Sequence, residues 1–102
     1  MVQAVAYTPD LIDRSKVAAV LPCARFVTRP EDLVGCGGDI VIVDLGRPGV
    51  LDVLARVPAT RLVGFASHVD RDTLTAARAA GCEAMPRSEF FSRLDDVATT
   101  AE

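Results

Sequence analysis

One histidine, one lysine and three cysteines occur among the 102 residues, and each shortage removes a class of chemistry. With His68 as its only histidine, the chain cannot build a His-rich metal site. Cys23, Cys36 and Cys82 are odd in number and lack Cys-x-x-Cys spacing, which argues against both a disulfide framework and a zinc site. Buried, inert thiols are the simpler reading. The sole lysine is Lys16 and every other basic residue is arginine, so a catalytic lysine has one candidate. No apolar run approaches the roughly 18 to 20 residues of a membrane span. Nor does Met1 open a basic n-region with a cleavage site; a cytoplasmic protein with no membrane partner is expected. The 11 basic residues are scattered and outnumbered by 14 acidic ones, net −3, so direct nucleic-acid binding is disfavoured. What the sequence does have is apolar material: half of it is hydrophobic, enough for one core, and 1–102 is expected to form a single domain.

Proline and glycine divide the chain into alternating strand-like and helix-like pieces. Residues 2–7 (VQAVAY) suit a buried strand. Thr8, Pro9 and Asp10 give a turn and N-cap, and residues 11–21 form an amphipathic helix using Leu11, Ile12, Ala18, Ala19 and Val20, stopped by Pro22. Residues 24–28 form a short strand and residues 30–34 a short helix, ended by the turn Gly35-Cys36-Gly37-Gly38. The β-branched run Ile40-Val41-Ile42-Val43, ending at Asp44, suits a central parallel strand covered on both faces. A helix over residues 50–57, a strand over 62–66, a helix from the Asp70 cap to Ala80 with Gly81 beyond it, and a weak strand over 83–86 follow. Ser88 then caps a last helix whose apolar residues are Phe90, Phe91, Leu94 and Val97.

The pattern is (βα)5, and right-handed crossovers make a three-layer α/β sandwich its natural solution. In such sheets the functional crevice lies at the carboxyl ends of the strands. That rule selects Tyr7 and Thr8, Asp44, then Ala66, Ser67 and His68, and finally Arg87 as crevice residues.

These positions resemble the receiver domain of two-component response regulators. The most specific part is Asp39-Ile40-Val41-Ile42-Val43-Asp44-Leu45-Gly46-Arg47-Pro48, because receivers place a phosphoacceptor Asp at the end of strand three with Pro four residues later. The resemblance implies a flavodoxin-like sheet of order 2-1-3-4-5. It also exposes departures. An aspartyl phosphate needs a divalent cation held by hard oxygen ligands, usually two acids after strand one, and here those positions are Tyr7 and Thr8. Asp10 is better used as a helix cap. The Thr or Ser that receivers carry at the end of strand four aligns with Ala66, one residue before Ser67. Arg87-Ser88 stands where receivers have Lys-Pro, and a planar guanidinium is not an equivalent point charge. The loop after Pro48, which would lend a carbonyl to the metal, is short.

The resemblance therefore implies a degenerate, or pseudo-, receiver without a metal or other cofactor. The expected function is a stand-alone, non-catalytic protein-interaction module in bacterial signalling, docking a partner or a second copy through the fourth helix, fifth strand and fifth helix. Two alternatives stand beside it: a phosphoaccepting regulator using Asp44, and a small-anion or nucleotide binder using Arg87, Ser67 and His68. Arg87 is expected to form an ion pair with Asp44, taking the space of the missing metal. His68 reads as a hydrogen-bonded loop residue, Gly64 as a point of close approach, and one of Phe90 and Phe91 as a contributor to a partner surface.

Overall fold

The structure is a computed structural model and describes residues 3–35 and 38–100. Five parallel strands form one sheet in the order β2-β1-β3-β4-β5, the flavodoxin-like arrangement. They are β1 (Ala4–Tyr7), β2 (Arg25–Phe26), β3 (Gly38–Asp44), β4 (Ala59–Ala66) and β5 (Glu83–Pro86). The helices are α1 (Leu11–Val20), α2 (Asp32–Gly35), α3 (Val50–Val53), α4 (Arg71–Ala79), α5 (Arg87–Ser92) and α6 (Leu94–Thr100). A 3-10 turn over Leu54–Arg56 prolongs α3. No described helix is long and apolar enough to cross a membrane.

Strand alternation sorts the core into two layers. Val5, Tyr7, Val41 and Val43 face Leu33, Leu54, Leu74 and Ala77 of α2, the 3-10 turn and α4. Ala4, Ala6, Ile40 and Ile42 face the other way, onto Val17, Phe90, Leu94 and Val97 of α1, α5 and α6. Successive strand side chains point to opposite faces, so one apolar run can serve both layers. Leu45 follows β3 into the first layer and fills the space above Gly64, where an added Cβ would lie 2.7 Å from the Leu45 side chain.

Several elements differ from expectation. Val2, Cys36 and Gly37 lie outside the described residues; Gln3 precedes the first strand, which runs from Ala4 and not across 2–7, and of the expected glycine turn Gly35 closes α2 while Gly38 opens β3. β4 begins three residues earlier than the apolar run suggests, because its first part is half-exposed. The last helix is two: the chain breaks at Arg93, and Ser88 does not cap it, since α5 starts at Arg87 after Pro86 with no side-chain cap bond. The largest correction concerns α1. Leu11 and Ile12 are 75% and 67% exposed, while Asp13, Val17 and the following Leu21 are buried. Those three recur at i, i+4 and i+8 and form the true inner stripe. The expected caps at Asp10 and Asp70 and the left-handed Gly81, φ +93°, are present.

Cys82 is buried among the first layer, and Cys23 is exposed. Burial, with a smaller contribution from the Glu83 charge, pushes the Cys82 thiol up to about 12. A folded-state value above the unfolded one means stability present below about pH 9 and lost as pH rises toward about 12. Thiol alkylation at pH 8 followed by peptide mapping should modify Cys23 and leave Cys82 unmodified until denaturant is added. Gly64→Ala should lower stability by about 1 to 3 kcal/mol in urea denaturation, through overpacking against Leu45. The same substitution should cost less in a Leu45→Ala background, where the obstructing side chain is gone.

Candidate functional site

Asp44 ends β3, and alternation carries it to the α1 and α5 side of the sheet with Ile40 and Ile42. Its side chain is 12% exposed, so the carboxylate must be satisfied locally. The loop that follows does this. Gly46 N–H donates to Oδ1 at 3.1 Å, and Arg47 Nε donates to Oδ2 at 3.1 Å. Arg47, which the sequence reading passed over, is thus the cation beside Asp44. Its signal was present as an acid and a base three residues apart across a Gly-containing turn.

The expected Asp44–Arg87 pair does not form. Arg87 reaches across the end of the sheet to α1, where Nη1 donates to Asp13 Oδ2 at 2.7 Å and Nη2 donates to Oδ1. Its guanidinium also lies over two aromatic rings, 5.5 Å from the centroid of Phe65 and 5.1 Å from that of Phe91. The physical reason is Asp13. That carboxylate is only 1% exposed, and a buried charge left unpaired costs far more than an accessible one. Asp44 is already served by its own loop. The bonds to Asp13 hold the guanidinium above its ordinary value; burial opposes them, and the charges of Asp13, Asp44 and Asp10 assist through space. Nothing in the α1 pattern marked Asp13 except its place on the stripe with Val17.

The other crevice residues divide by burial. Tyr7 is packed in the first core layer. Thr8 is 2% exposed, and its Oγ1 has no hydrogen-bond partner among the described residues. Ala66 is buried, whereas Ser67 and His68 are exposed. Ser67 Oγ accepts from the Val69 N–H at 3.4 Å and so closes the β4–α4 turn. His68 makes no hydrogen bond among the described residues, contrary to the bonded loop histidine expected. Asp10 is occupied as a cap: Ile12 and Asp13 N–H donate to its Oδ1, and those bonds, with the Asp13 one larger, lower its carboxyl from the ordinary value.

A hard divalent cation does not fit this donor set. It would need several oxygen ligands, and Asp44 Oδ2 already carries a guanidinium, Tyr7 and Thr8 offer no carboxylate, and Asp10 and Asp13 are bonded elsewhere. Among the described residues no group of three or more His, Cys, Asp or Glu converges as metal ligands. The site can hold two neutralised ion pairs side by side, Asp44–Arg47 and Asp13–Arg87. Around it stand Leu11, Ile12, Leu51 and Val69, the exposed large hydrophobic residues among those described, each in a loop or first helical turn after β1, β3 or β4.

Double-mutant cycles in urea should separate the two pairings. Asp13→Ala and Arg87→Ala should be coupled by about 0.5 to 3 kcal/mol, and Asp44→Ala with Arg87→Ala should add within about 0.5 kcal/mol. Equal coupling in both cycles would show that Arg87 divides itself between the two carboxylates.

No family model and no curated protein matches the chain. Among solved structures, it is similar to a response regulator from Hahella chejuensis, with a TM-score of 0.79 over 99% of this chain and 95% of that one. The two are 18% identical in sequence, so the likeness establishes a common fold and leaves the chemistry to the residues described above. The chain has the fold of a response regulator.

Proposed function

We propose that the protein is a pseudo-receiver: a non-catalytic protein-interaction module of bacterial, cytoplasmic signalling that does not undergo magnesium-dependent phosphorylation. The observation that carries this reading is the closure of Asp44 by its own loop. A phosphoacceptor carboxylate needs one oxygen free for attack and a cation on the incoming phosphoryl group. Here the two oxygens accept from Gly46 N–H and from Arg47, and the guanidinium stands where added negative charge would need a metal. Arg87, the cation best placed by sequence to meet a phosphoryl group, is bonded to Asp13. Those same two pairings weigh against the small-anion alternative, since both crevice guanidinium groups are already neutralised.

The docking surface we assign is α4, β5 and α5. Helix α4 buries Leu74 and Ala77 and leaves Thr75, Ala76 and Ala79 exposed, a smooth face with little side-chain entropy to lose on contact. Phe90 is fully buried, and Phe91 is half-buried beneath Lys16 and Arg87, so Phe91 offers only its rim.

The test combines phosphorylation with binding. Incubation with magnesium and a small acyl phosphate should leave the intact mass unchanged while an active receiver in the same buffer gains one phosphoryl group. An adduct that disappears in Asp44→Asn would overturn the reading in favour of a phosphoaccepting regulator. A partner captured from the native cell should lose binding to Ala76→Glu and Ala79→Glu and retain binding to Asp44→Asn.

A further inference from the structure

We infer that the Asp13–Arg87 pair is a clasp that fixes the start of α5 to α1 and holds the α5 surface in one position whatever the state of Asp44. The inference goes beyond the function proposed above and stands without it.

Its first support is the cost of opening. Asp13 is 1% exposed and receives both terminal nitrogens of Arg87 from a point 74 residues away in the chain. Releasing Arg87 would leave a buried carboxylate without a counter-charge. The second support is what the guanidinium covers. It lies on Phe65 of β4 and Phe91 of α5, whose centroids are 5.2 Å apart and lie 4.8 and 4.9 Å from that of Phe90. Lys16, three residues after Asp13 on α1, places its ammonium 4.9 Å from the Phe91 centroid. One face of α1 thus supplies an acid to Arg87 and a cation to Phe91.

The third support is the weakness of α5 on its own. It has six residues, and its N-terminus has no side-chain cap bond. Such a short helix is held by packing and not by its own hydrogen bonds. Asp44, meanwhile, bonds to Gly46 and Arg47 in the loop after β3. Among the described residues no hydrogen bond joins that loop to α5, and the Asp44 charge reaches Arg87 only through space. A change at Asp44 reaches the α5 surface only indirectly, through the sheet and Phe65, which pairs with Asp44 and packs on Phe90 and Phe91, whereas a change at Arg87 acts on it directly.

Amide hydrogen exchange on the full chain tests the clasp. Arg87→Ala should accelerate exchange at residues 91–93 by about tenfold or more and leave β3 within about twofold of the parent. Arg87→Lys, which keeps the charge but loses the fork and the planar stacking, should accelerate the same residues by a smaller factor. Asp44→Asn and Arg47→Ala should leave residues 91–93 within about twofold of the parent. Should Arg87→Ala fail to fold, the comparison of Arg87→Lys with Asp44→Asn decides the matter. Unchanged exchange at residues 91–93 in the Arg87 variants overturns the clasp, and so does an Asp44→Asn effect as large as that of Arg87→Lys. A phosphoryl adduct on Asp44 would overturn the proposed function and leave this result untouched.

Discussion

A carboxylate taken out of water must find a cation or become neutral, and Asp13 is taken almost completely out of water. Much of the carboxyl end of the sheet follows from that constraint. Arg87 is drawn across β4 to α1, its guanidinium comes to rest on Phe65 and Phe91, and α5 begins where the arginine backbone must then stand. The same constraint decides the fate of Asp44. With the strand-five cation engaged elsewhere, its carboxylate is satisfied from Gly46 and Arg47.

The two ion pairs differ in what holds them. Asp44–Arg47 is local, a turn closed across three residues, and its carboxylate is 12% exposed against 1% for Asp13. Asp13–Arg87 closes a loop of most of the chain and is bidentate, so it joins α1 to the start of α5 with a defined geometry. A local pair can open without disturbing the sheet. The long-range pair cannot open without moving α5 or stranding a charge. The closed carboxylate of Asp44 and the fixed junction of α1 with α5 are therefore two consequences of one arrangement.

The sheet was legible because its central strand is one β-branched run ending in a turn, and because the caps Asp10 and Asp70 lay where the pattern turned amphipathic. The layered architecture followed from the handedness of crossovers, and the strand order from the resemblance alone. The site was legible as a set of strand ends and illegible as a set of partners. Ile40 to Asp44 announces where Asp44 lies, but pairing depends on which way α1 is rotated, and hydrophobic patterning alone points the wrong face of α1 inward. Leu11 and Ile12 look like the inner face, since both are large and apolar. The Asp10 cap and the exit from β1 instead turn Asp13 and Val17 inward and leave Leu11 and Ile12 at the rim. A charged residue on the inner stripe is the feature hydrophobic patterning discards first, and here it is the residue that redirects Arg87.

Why an arginine suits the end of β5 better than a lysine would can be understood in the same terms. A lysine there would present one compact charge on a flexible stem, suited to leave one oxygen for another as a ligand arrives. Arginine presents a planar fork that fits both oxygens of Asp13 at once, and a flat cationic face that fits an aromatic ring. Both capacities are used here, and both are lost if the side chain swings toward Asp44. Arg87 is committed to Asp13, so acids placed at Tyr7 and Thr8 alone would not free it to act at Asp44.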